Sequence, residues 1–264
     1  MKKITLSLAV VSSMLLAQPE HLDEKPFVTH TEAGYIQTGG NTDTQTFNLE
    51  SKAAKDWGHH VAKASVDMQY ATNRGKETQN RFLAEFTYDY EFTDVLAFNY
   101  LAGYKKDRFS GFASQLYTGP GARYKMIVSD LENFTVDGNL LYARDNYESA
   151  FTTASGAYIP YPDPIPADAI LQRAAFQNDY MAFRVKGAYD RQLLENLKFD
   201  QELTYRSSFE EVQNFFVFSK TALSSKITDM LSAGISYKID YINEPANGKD
   251  TTDTTFTANL ILDY

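Results

Sequence analysis

Charged side chains of both signs recur at even spacings within long segments of this chain, and the spacing indicates what they could do. Because side chains alternate between the two faces of a strand, charges at every second position share one face. A wall of fixed charges can select the ions or small solutes that pass along it. Nine residues are the candidate lining of such a polar interior: Glu85, Lys105, Arg123, Asp137, Arg184, Lys186, Glu202, Arg206 and Lys238.

Residues that could support catalysis or metal binding are few. The histidines are His21, His30, His59 and His60. His59 and His60 are adjacent, so on a strand their side chains would point to opposite faces. Barrel lipases, which use Ser, His and Asn at the external face, are a weaker alternative, because the predicted topology places three of the histidines near the opposite rim. We therefore predict that the protein is not an enzyme and has no catalytic residues, metal site or cofactor.

The elements that must position the charges are β-strands. In the last one, Thr252, Phe256, Leu260 and Tyr264 share one face, and polar residues such as Asp253 alternate with them. Strands of soluble proteins average about 5–6 residues, whereas these segments reach the about 9–11 residues that a tilted membrane-spanning strand needs. Twelve strands are predicted, at 28–38, 43–56, 60–72, 80–91, 95–107, 114–126, 133–145, 178–190, 197–209, 213–224, 230–243 and 251–264.

This pattern predicts an all-β fold, a single transmembrane antiparallel β-barrel of about twelve strands over residues 28–264. Lipid offers no hydrogen bonds, so a closed sheet is needed to pair every backbone group. The 18 Tyr and 18 Phe recur along the segments, as expected for aromatic girdles at the membrane interfaces. A soluble barrel with an inward apolar face is the alternative, but so many long strands would overfill an eight-stranded soluble barrel.

Short and longer connections alternate along the predicted barrel. Outer-membrane barrels have short periplasmic turns and longer external loops, so an even strand count predicts that both termini are periplasmic. The predicted external connections include 73–79 and a long loop at 146–177. Four prolines within 157–166 favour an extended stretch. We expect a mobile surface loop there rather than one that folds into the mouth of the barrel.

The first residues have the pattern of a secretory signal peptide. Lys2 and Lys3 precede an apolar run that ends at Ala17. The run is too short for a spanning helix, which needs about 20 apolar residues. We predict a signal peptide at 1–17, followed by a short periplasmic segment at 18–27. A buried N-terminal element is the alternative.

Composition also limits the partners. The formal net charge is −9, which disfavours a nucleic-acid partner because phosphate binding needs a basic face. The chain has no cysteine, which excludes disulfides and thiolate metal sites. The expected partners are outer-membrane lipid, lipopolysaccharide and the insertion machinery of the outer membrane. Barrels of this class commonly finish on an aromatic strand end that this machinery reads, and the last strand here ends at Tyr264. We expect a monomer.

Five motifs, in their order and spacing, resemble the salt-induced outer membrane protein family, a domain family of unknown function. They are Gly34-Tyr-Ile-Gln-Thr-Gly-Gly-Asn41-Thr42, Trp57, Tyr88-Asp-Tyr-Glu-Phe-Thr-Asp94, Asp107-Arg-Phe-Ser-Gly111 and Gly119-Pro-Gly121. The resemblance spans the whole mature chain, although the stretch 146–177 is longer than expected for the family. It implies an outer-membrane barrel, without catalytic residues and without an established substrate.

The function that we favour from the sequence is a narrow outer-membrane channel for ions or small solutes, and the resemblance suggests a link to salt or envelope stress. A twelve-stranded lumen lies between the filled eight-stranded barrel and the water-filled porin of sixteen or more strands. A closed structural barrel is therefore an alternative. Its interior would hold salt bridges, such as Lys186 with Glu202 if the turn 191–196 is tight and symmetric. A surface receptor or adhesin that uses the 146–177 loop is the third possibility.

Overall fold

A computed structural model describes residues 27–39, 43–159, 164–245 and 249–264. The predicted signal peptide at 1–17 and all but the last residue of the predicted segment at 18–27 lie outside these residues. In chain order the strands are β1 (Val28–Thr38), β2 (Thr44–Trp57), β3 (His60–Asn73), β4 (Lys76–Glu91), β5 (Leu96–Asp107), β6 (Phe112–Val128), β7 (Glu132–Tyr147), β8 (Ala150–Thr152), β9 (Tyr158–Ile159), β10 (Ile170–Arg173), β11 (Phe176–Leu194), β12 (Leu197–Ser208), β13 (Phe215–Lys226), β14 (Leu231–Ile242) and β15 (Thr252–Asp263).

Twelve of the described strands close into one barrel, in the order β1-β2-β3-β4-β5-β6-β7-β11-β12-β13-β14-β15 and back to β1. Each strand is antiparallel to its neighbours, and β1 meets β15 from His30, opposite Asp263, to Ala33, opposite Leu260. The predicted fold class, a single all-β antiparallel barrel of about twelve strands, is therefore confirmed. No helix in the described residues is long and apolar enough to cross a membrane.

Side chains alternate between the outer surface and the interior along the strands. On β5, Leu96 and Tyr100 are exposed, whereas Ala97, Asn99 and Leu101 are buried. Large apolar and aromatic side chains therefore cover much of the outer wall, as a lipid-facing barrel requires. The interior holds buried charges and amides together with one apolar cluster, which consists of Leu101, Tyr117, Leu141, Ala143, Tyr180 and Ala182.

We name the two ends of the barrel by their connections. The turn end carries the connections 58–59, 92–95, 129–131, 195–196 and 227–230. The loop end carries 39–43, 74–75, 108–111, 148–175, 209–214 and 243–251. The first residue of β1, Val28, and the last residue of β15, Asp263, both lie at the turn end. Each loop-end connection is thus at least as long as the turn-end connections on either side of it, with one exception.

The exception is the predicted loop at 73–79, which is wrong. The strands β3 and β4 extend to Asn73 and from Lys76, so the connection is the two-residue turn Arg74-Gly75. The φ angles of Arg74 and Gly75 are 49° and 75°. Two consecutive positive φ angles are typical of the type I′ turn, whose twist matches that of a tight hairpin. The polar residues of this segment therefore continue the strands instead of forming a loop.

The described part of the predicted loop at 146–177 contains short strands of its own. The strands β8, β9 and β10 form a small antiparallel sheet with β8 in the centre. Phe151 of β8 lies opposite Ile159 of β9 and Leu171 of β10. Aromatic and β-branched residues favour strands, and Phe151, Tyr158 and Ile170 lie in these three strands. Residues 160–163 of the proline stretch lie outside the described residues.

The register between β11 and β12 differs from the symmetric one that we predicted. Lys186 lies opposite Thr204, and Glu202 lies opposite Ala188. The reason is the position of the turn: β11 continues to Leu194 and the connection is only 195–196, so the partner of Lys186 lies two residues farther along β12 than predicted. An irregularity between Gln192 and Leu194 shifts the pairing by one residue. Lys186 Nζ still reaches Glu202 Oε1 at 2.8 Å, because diagonal neighbours on one face are within reach of long side chains.

Candidate functional site

Open space enters the interior from the turn end. Two adjoining cavities of about 840 and 560 Å³ share lining residues that include His30, Lys52, Glu202 and Asp263, and together they form the vestibule. The larger cavity is lined by the cations Lys63, Arg123, Lys125, Arg184 and Lys186. The smaller cavity is lined by the carboxylates Glu32, Asp190, Glu195 and Asp200, together with four lysines. The vestibule is therefore a polar space with fixed charges of both signs.

A smaller cavity of about 110 Å³, the chamber, lies deeper in the barrel. It shares Glu85, Arg184 and Glu202 with the vestibule. An Arg184 guanidinium nitrogen is 3.9 Å from Glu85 Oε1, and its other nitrogen donates to the side-chain oxygen of Asn139 at 3.3 Å. The two spaces thus meet at a ring of charged side chains.

Ion pairs of Asp240 cross the chamber from one wall to the opposite wall. Its carboxylate accepts a hydrogen bond from Arg81 and lies 3.4 Å from Lys105 Nζ. In the order of the barrel, β5 is diametrically opposite β14, and β4 is the neighbour of β5. These ion pairs therefore cross the lumen instead of joining adjacent strands. All three side chains are largely buried, with 6%, 15% and 14% of Arg81, Lys105 and Asp240 exposed.

A hydrogen bond from Tyr117 holds Glu85 in the lumen, and Gly103 leaves space for the Tyr117 ring. The hydroxyl of Tyr117 donates to Glu85 Oε1 at 2.6 Å. Tyr117 on β6 lies opposite Gly103 on β5, and its ring occupies the place of a side chain at Gly103. A Cβ atom at position 103 would lie 2.2 Å from ring carbons of Tyr117. The missing side chain thus lets Tyr117 lie along the wall and reach Glu85.

Arg206 forms a second obstruction toward the loop end. Its guanidinium carbon is 5.0 Å from the ring centre of Tyr117 and 4.3 Å from that of Phe216, so both contacts are in cation–π range. Phe216 in turn contacts Phe112, which is fully buried and packs at a tilt against Tyr147. These aromatic side chains form a layer on the loop-end side of the chamber.

A buried group of charges joins the two sides of the junction between β1 and β15. We call it the seam cluster; it consists of Lys220, Lys238, Glu32, Glu50 and Asp67. Lys220 Nζ donates to Glu32 at 2.7 Å and to Glu50 at 3.0 Å. Lys238 donates to Glu50 at 2.8 Å and also to Asp67. Because the lysines lie on β13 and β14 and the carboxylates on β1, β2 and β3, the cluster spans the junction.

Arg123 is the centre of another buried group. Its guanidinium donates two hydrogen bonds to Asp137, at 2.7 and 3.0 Å, and one to Asp89. Asp89 also accepts from the amide of Asn99, and Lys63 Nζ lies 3.3 Å away. The bidentate geometry is that of a strong charge-assisted pair. It fixes one wall of the vestibule.

The structure places all nine sequence-derived candidates in the interior and brings them into these groups. Sequence reasoning left three central residues out of that set: Asp89, Lys220 and Asp240. Strand alternation was a usable signal for Asp89 and Asp240, which share a face with Glu85 and Lys238. Lys220 was harder to find, because Phe216 and Phe218 on the same inner face hide the alternation in β13.

The turn end and the histidines add little chemistry. Outside the strands, a hydrogen bond from the Lys226 ammonium, 2.8 Å from Asp229, lowers the pKa of the Asp229 carboxyl. His59 Nδ1 lies 3.0 Å from the carbonyl oxygen of Glu91, and His60 Nδ1 lies 2.6 Å from the hydroxyl of Tyr88. Among the described residues, which exclude His21, no three His, Asp or Glu side chains are grouped to hold a metal.

Comparisons with known proteins identify a family. The family model described as "Protein of unknown function, DUF481" matches residues 31–264. The chain matches no curated protein.

Among solved structures, the barrel is similar to the NanC porin, with 13% identity, a TM-score of 0.48 and coverage of 89% of this chain and 98% of that chain. It is also similar to the translocator domain of the autotransporter NalP from Neisseria meningitidis, with 10% identity, a TM-score of 0.47 and coverage of 90% and 87%. A third similar structure is the KdgM porin in complex with disordered oligogalacturonate, with 11% identity, a TM-score of 0.43 and coverage of 89% and 98%.

Proposed function

This chain belongs to the DUF481 family, and we propose that it is an outer-membrane barrel whose narrow lumen passes ions or small solutes. The observation that carries the proposal is that only side chains separate the vestibule from the chamber. Glu85, Arg184 and Glu202 belong to wall strands and border both spaces. A change of side-chain rotamer therefore joins the two spaces without any movement of the backbone.

The test is the single-channel conductance of the refolded chain from residue 18 onward in a planar bilayer. Discrete conductance steps are the expected result. Replacement of Arg184, Lys186 or Arg206 by Ala should then change the ratio of cation to anion permeability. A barrel that inserts and shows heat-modifiable migration, but carries no current, would overturn the proposal. Unchanged selectivity in all three variants would show that these residues do not line the path.

A closed structural barrel is the second candidate, and the ion pairs of Asp240 across the lumen favour it. In such a barrel the buried charges would serve stability, and the vestibule would be a blind pocket. The two candidates differ in one measurable respect. The closed barrel predicts no conductance from the wild type and none from variants that keep Asp240, whereas the channel predicts openings in the wild type.

We also propose that the turn end faces the periplasm and the loop end faces outward, where lipopolysaccharide lies. Exposed aromatic residues near both ends support a membrane position: Trp57, Phe92 and Tyr124 at the turn end, and Tyr35, Tyr70 and Tyr104 at the loop end. A membrane-impermeant thiol reagent should label Ser155→Cys, but not Asp229→Cys, on intact cells. The reverse labelling would invert the topology.

Two further expectations stay predictions. The insertion machinery is expected to read the strand that ends at Tyr264, and the sheet within 146–177 offers a surface for a receptor or adhesin role. Deletion of that sheet should abolish partner binding and leave the barrel intact if the loop has this role. The geometry of the barrel provides no support for a link to salt or envelope stress.

A further inference from the structure

The junction between the first and last strands is unlike the other strand pairs of the described barrel. The strands β1 and β15 share four residue pairs, whereas β1 and β2 share eleven, as do β14 and β15. Their pairing starts with the mutual backbone hydrogen bonds of Thr29 and Tyr264 and ends at Ala33. In the described residues, Gly34–Thr38 and 252–259 pair only with their other neighbours. The loop-end half of this junction, which we call the slot, thus has two facing strand edges.

At the border of the slot that is nearest the turn end, side-chain hydrogen bonds join the two edges. The amide of Asn48 donates to Asn259 at 2.7 Å, and that of Asn259 donates to Glu32 at 2.7 Å. Gly34 lies beneath this bridge, where a Cβ atom would be 2.6 Å from the side-chain oxygen of Asn259 and 2.7 Å from the carbonyl oxygen of Ala258. Together with the seam cluster, this bridge holds the edges together up to Gly34 and not beyond it.

The slot begins within the apolar band and continues past its margin. On the outer face, Tyr35 of β1 and Phe256 of β15 are 58% and 62% exposed, and the next outward residues, Gln37 and Thr254, are polar. Inside the barrel, Thr255 lies opposite Lys238 and therefore points into the lumen. The slot thus lies between the polar interior and the level at which lipid headgroups begin.

Unpaired backbone groups at this level restrict what can occupy the slot. Hydrocarbon chains cannot satisfy amide and carbonyl groups, so an unpaired backbone group in the hydrocarbon region is strongly unfavourable. An occupant must offer hydrogen bonds toward the strand edges and tolerate lipid on its other side. A single-chain amphiphile meets both requirements, since its polar head can bind the edges while its tail stays in the membrane.

We propose that the slot is a lateral binding site for the head of a single-chain amphiphile, which can reach the lumen from the membrane. The proposal rests on the membrane position given under the proposed function, and not on conduction. It assigns the two strand edges as hydrogen-bonding partners of the head. Tyr35 and Phe256 flank the tail.

The test uses a fluorescent thiol label at Thr255→Cys in barrels refolded into vesicles. The quencher is lysophosphatidylcholine brominated on its acyl chain. The label at position 255 should lose most of its fluorescence. Thr204→Cys is the matched control, because Thr204 also points inward, and its strand is fully paired on both sides. Equal quenching at positions 255 and 204 would overturn the proposal.

A crosslink provides the second arm. If the β1–β15 register continued, Gln37 would face Phe256, so the pair Gln37→Cys and Phe256→Cys should form a disulfide that shuts the slot. Oxidation should remove the quenching at position 255, and reduction should restore it. Quenching that survives oxidation would show that the slot is not the entry. A disulfide-linked dimer with unquenched label would show that a second copy pairs with the edges. Conductance of the same preparation is read separately, so equal quenching at positions 255 and 204 with intact conductance overturns only the slot.

Discussion

Asp240 on β14 binds Arg81 on β4 across the lumen, although 159 residues separate them along the chain. Two cations, Arg81 and Lys105, share the carboxylate of Asp240, and each group depends on the others for compensation of its buried charge. The pairing therefore determines both the width and the charge of the lumen at its middle.

Replacement of Asp240 by Asn should open this level. The neutral amide releases Arg81 and Lys105, which then repel each other and move toward the vestibule or the loop end. We expect larger single-channel conductance and a shift of the reversal potential toward anion preference, because the lumen wall loses one negative charge. Both are measured in planar bilayers under a salt gradient.

Asp253→Asn is the matched control for this variant. Asp253 lies opposite Asp240 on β15 and has the same charge, but it forms no ion pair in the described part of the chain. Its replacement should leave the conductance nearly unchanged. Equal effects of the two variants would show that net charge, rather than the ion pair across the lumen, controls the current.

Arg206→Ala should increase the fraction of time that the channel is open. An aromatic contact with a guanidinium contributes about 0.5–2 kcal/mol, and every 1.4 kcal/mol is about a tenfold change in an equilibrium. We therefore expect the ratio of open to closed time to rise by about twofold to 25-fold in single-channel records. Arg144→Ala, which removes a guanidinium from the outer surface and its pair with Asp179, should have no such effect. An unchanged open fraction in Arg206→Ala would show that Arg206 does not obstruct the path.

Lys220→Met should destabilise the barrel. The substitution leaves Glu32 and Glu50 buried without one of their cations, and removal of one partner of a buried pair costs about 3–5 kcal/mol. The free energy of unfolding is measured by urea titration in vesicles, with heat-modifiable migration as the readout. The double variant Lys220→Met and Glu50→Gln should recover part of the loss. Lys226→Met, at an exposed position of the same strand, should change stability little. Equal stability of all variants would contradict a structural role for the seam cluster.

Gly103→Ala should displace Tyr117 and thereby loosen Glu85. A Cβ at position 103 would overlap the ring, and such overpacking costs about 1–3 kcal/mol. Replacement of Tyr117 by Phe separates the two effects, because it removes the hydrogen bond to Glu85 and keeps the ring. We expect both variants to change conductance, but only Gly103→Ala to lower the urea midpoint substantially. If neither alters conductance, Glu85 does not lie on the path.

Much of the wall could be predicted from the sequence, because side-chain alternation reports directly which face of a strand is wet. Arg184 and Lys186, two residues apart on β11, were placed on the inner face for this reason. The contacts across the lumen could not be predicted. Whether Asp240 meets Arg81 depends on barrel shear and diameter, which arise from the sum of all strand registers.

Local irregularities account for the other misses. The turn between β11 and β12 lies at 195–196 and not at 191–196, so Lys186 faces Thr204, and alternation does not reveal where a turn lies. The sheet of β8, β9 and β10 has strands of two to four residues, too short for a periodic pattern. The weak alternation of β13 concealed Lys220, since aromatic residues also point inward there.

The groups that block the lumen are side chains of the wall itself, and this determines how fast the lumen can open and close. Exposed side chains change rotamer in picoseconds to nanoseconds, whereas loops and domains move over nanoseconds to milliseconds. Opening at these levels requires the rupture of the ion pairs of Arg184 and Asp240 and of the cation–π contacts of Arg206, but no rearrangement of the backbone. Current through this barrel should therefore flicker rapidly between closely spaced levels, and recordings with heavy filtering would average these events into a small, steady conductance.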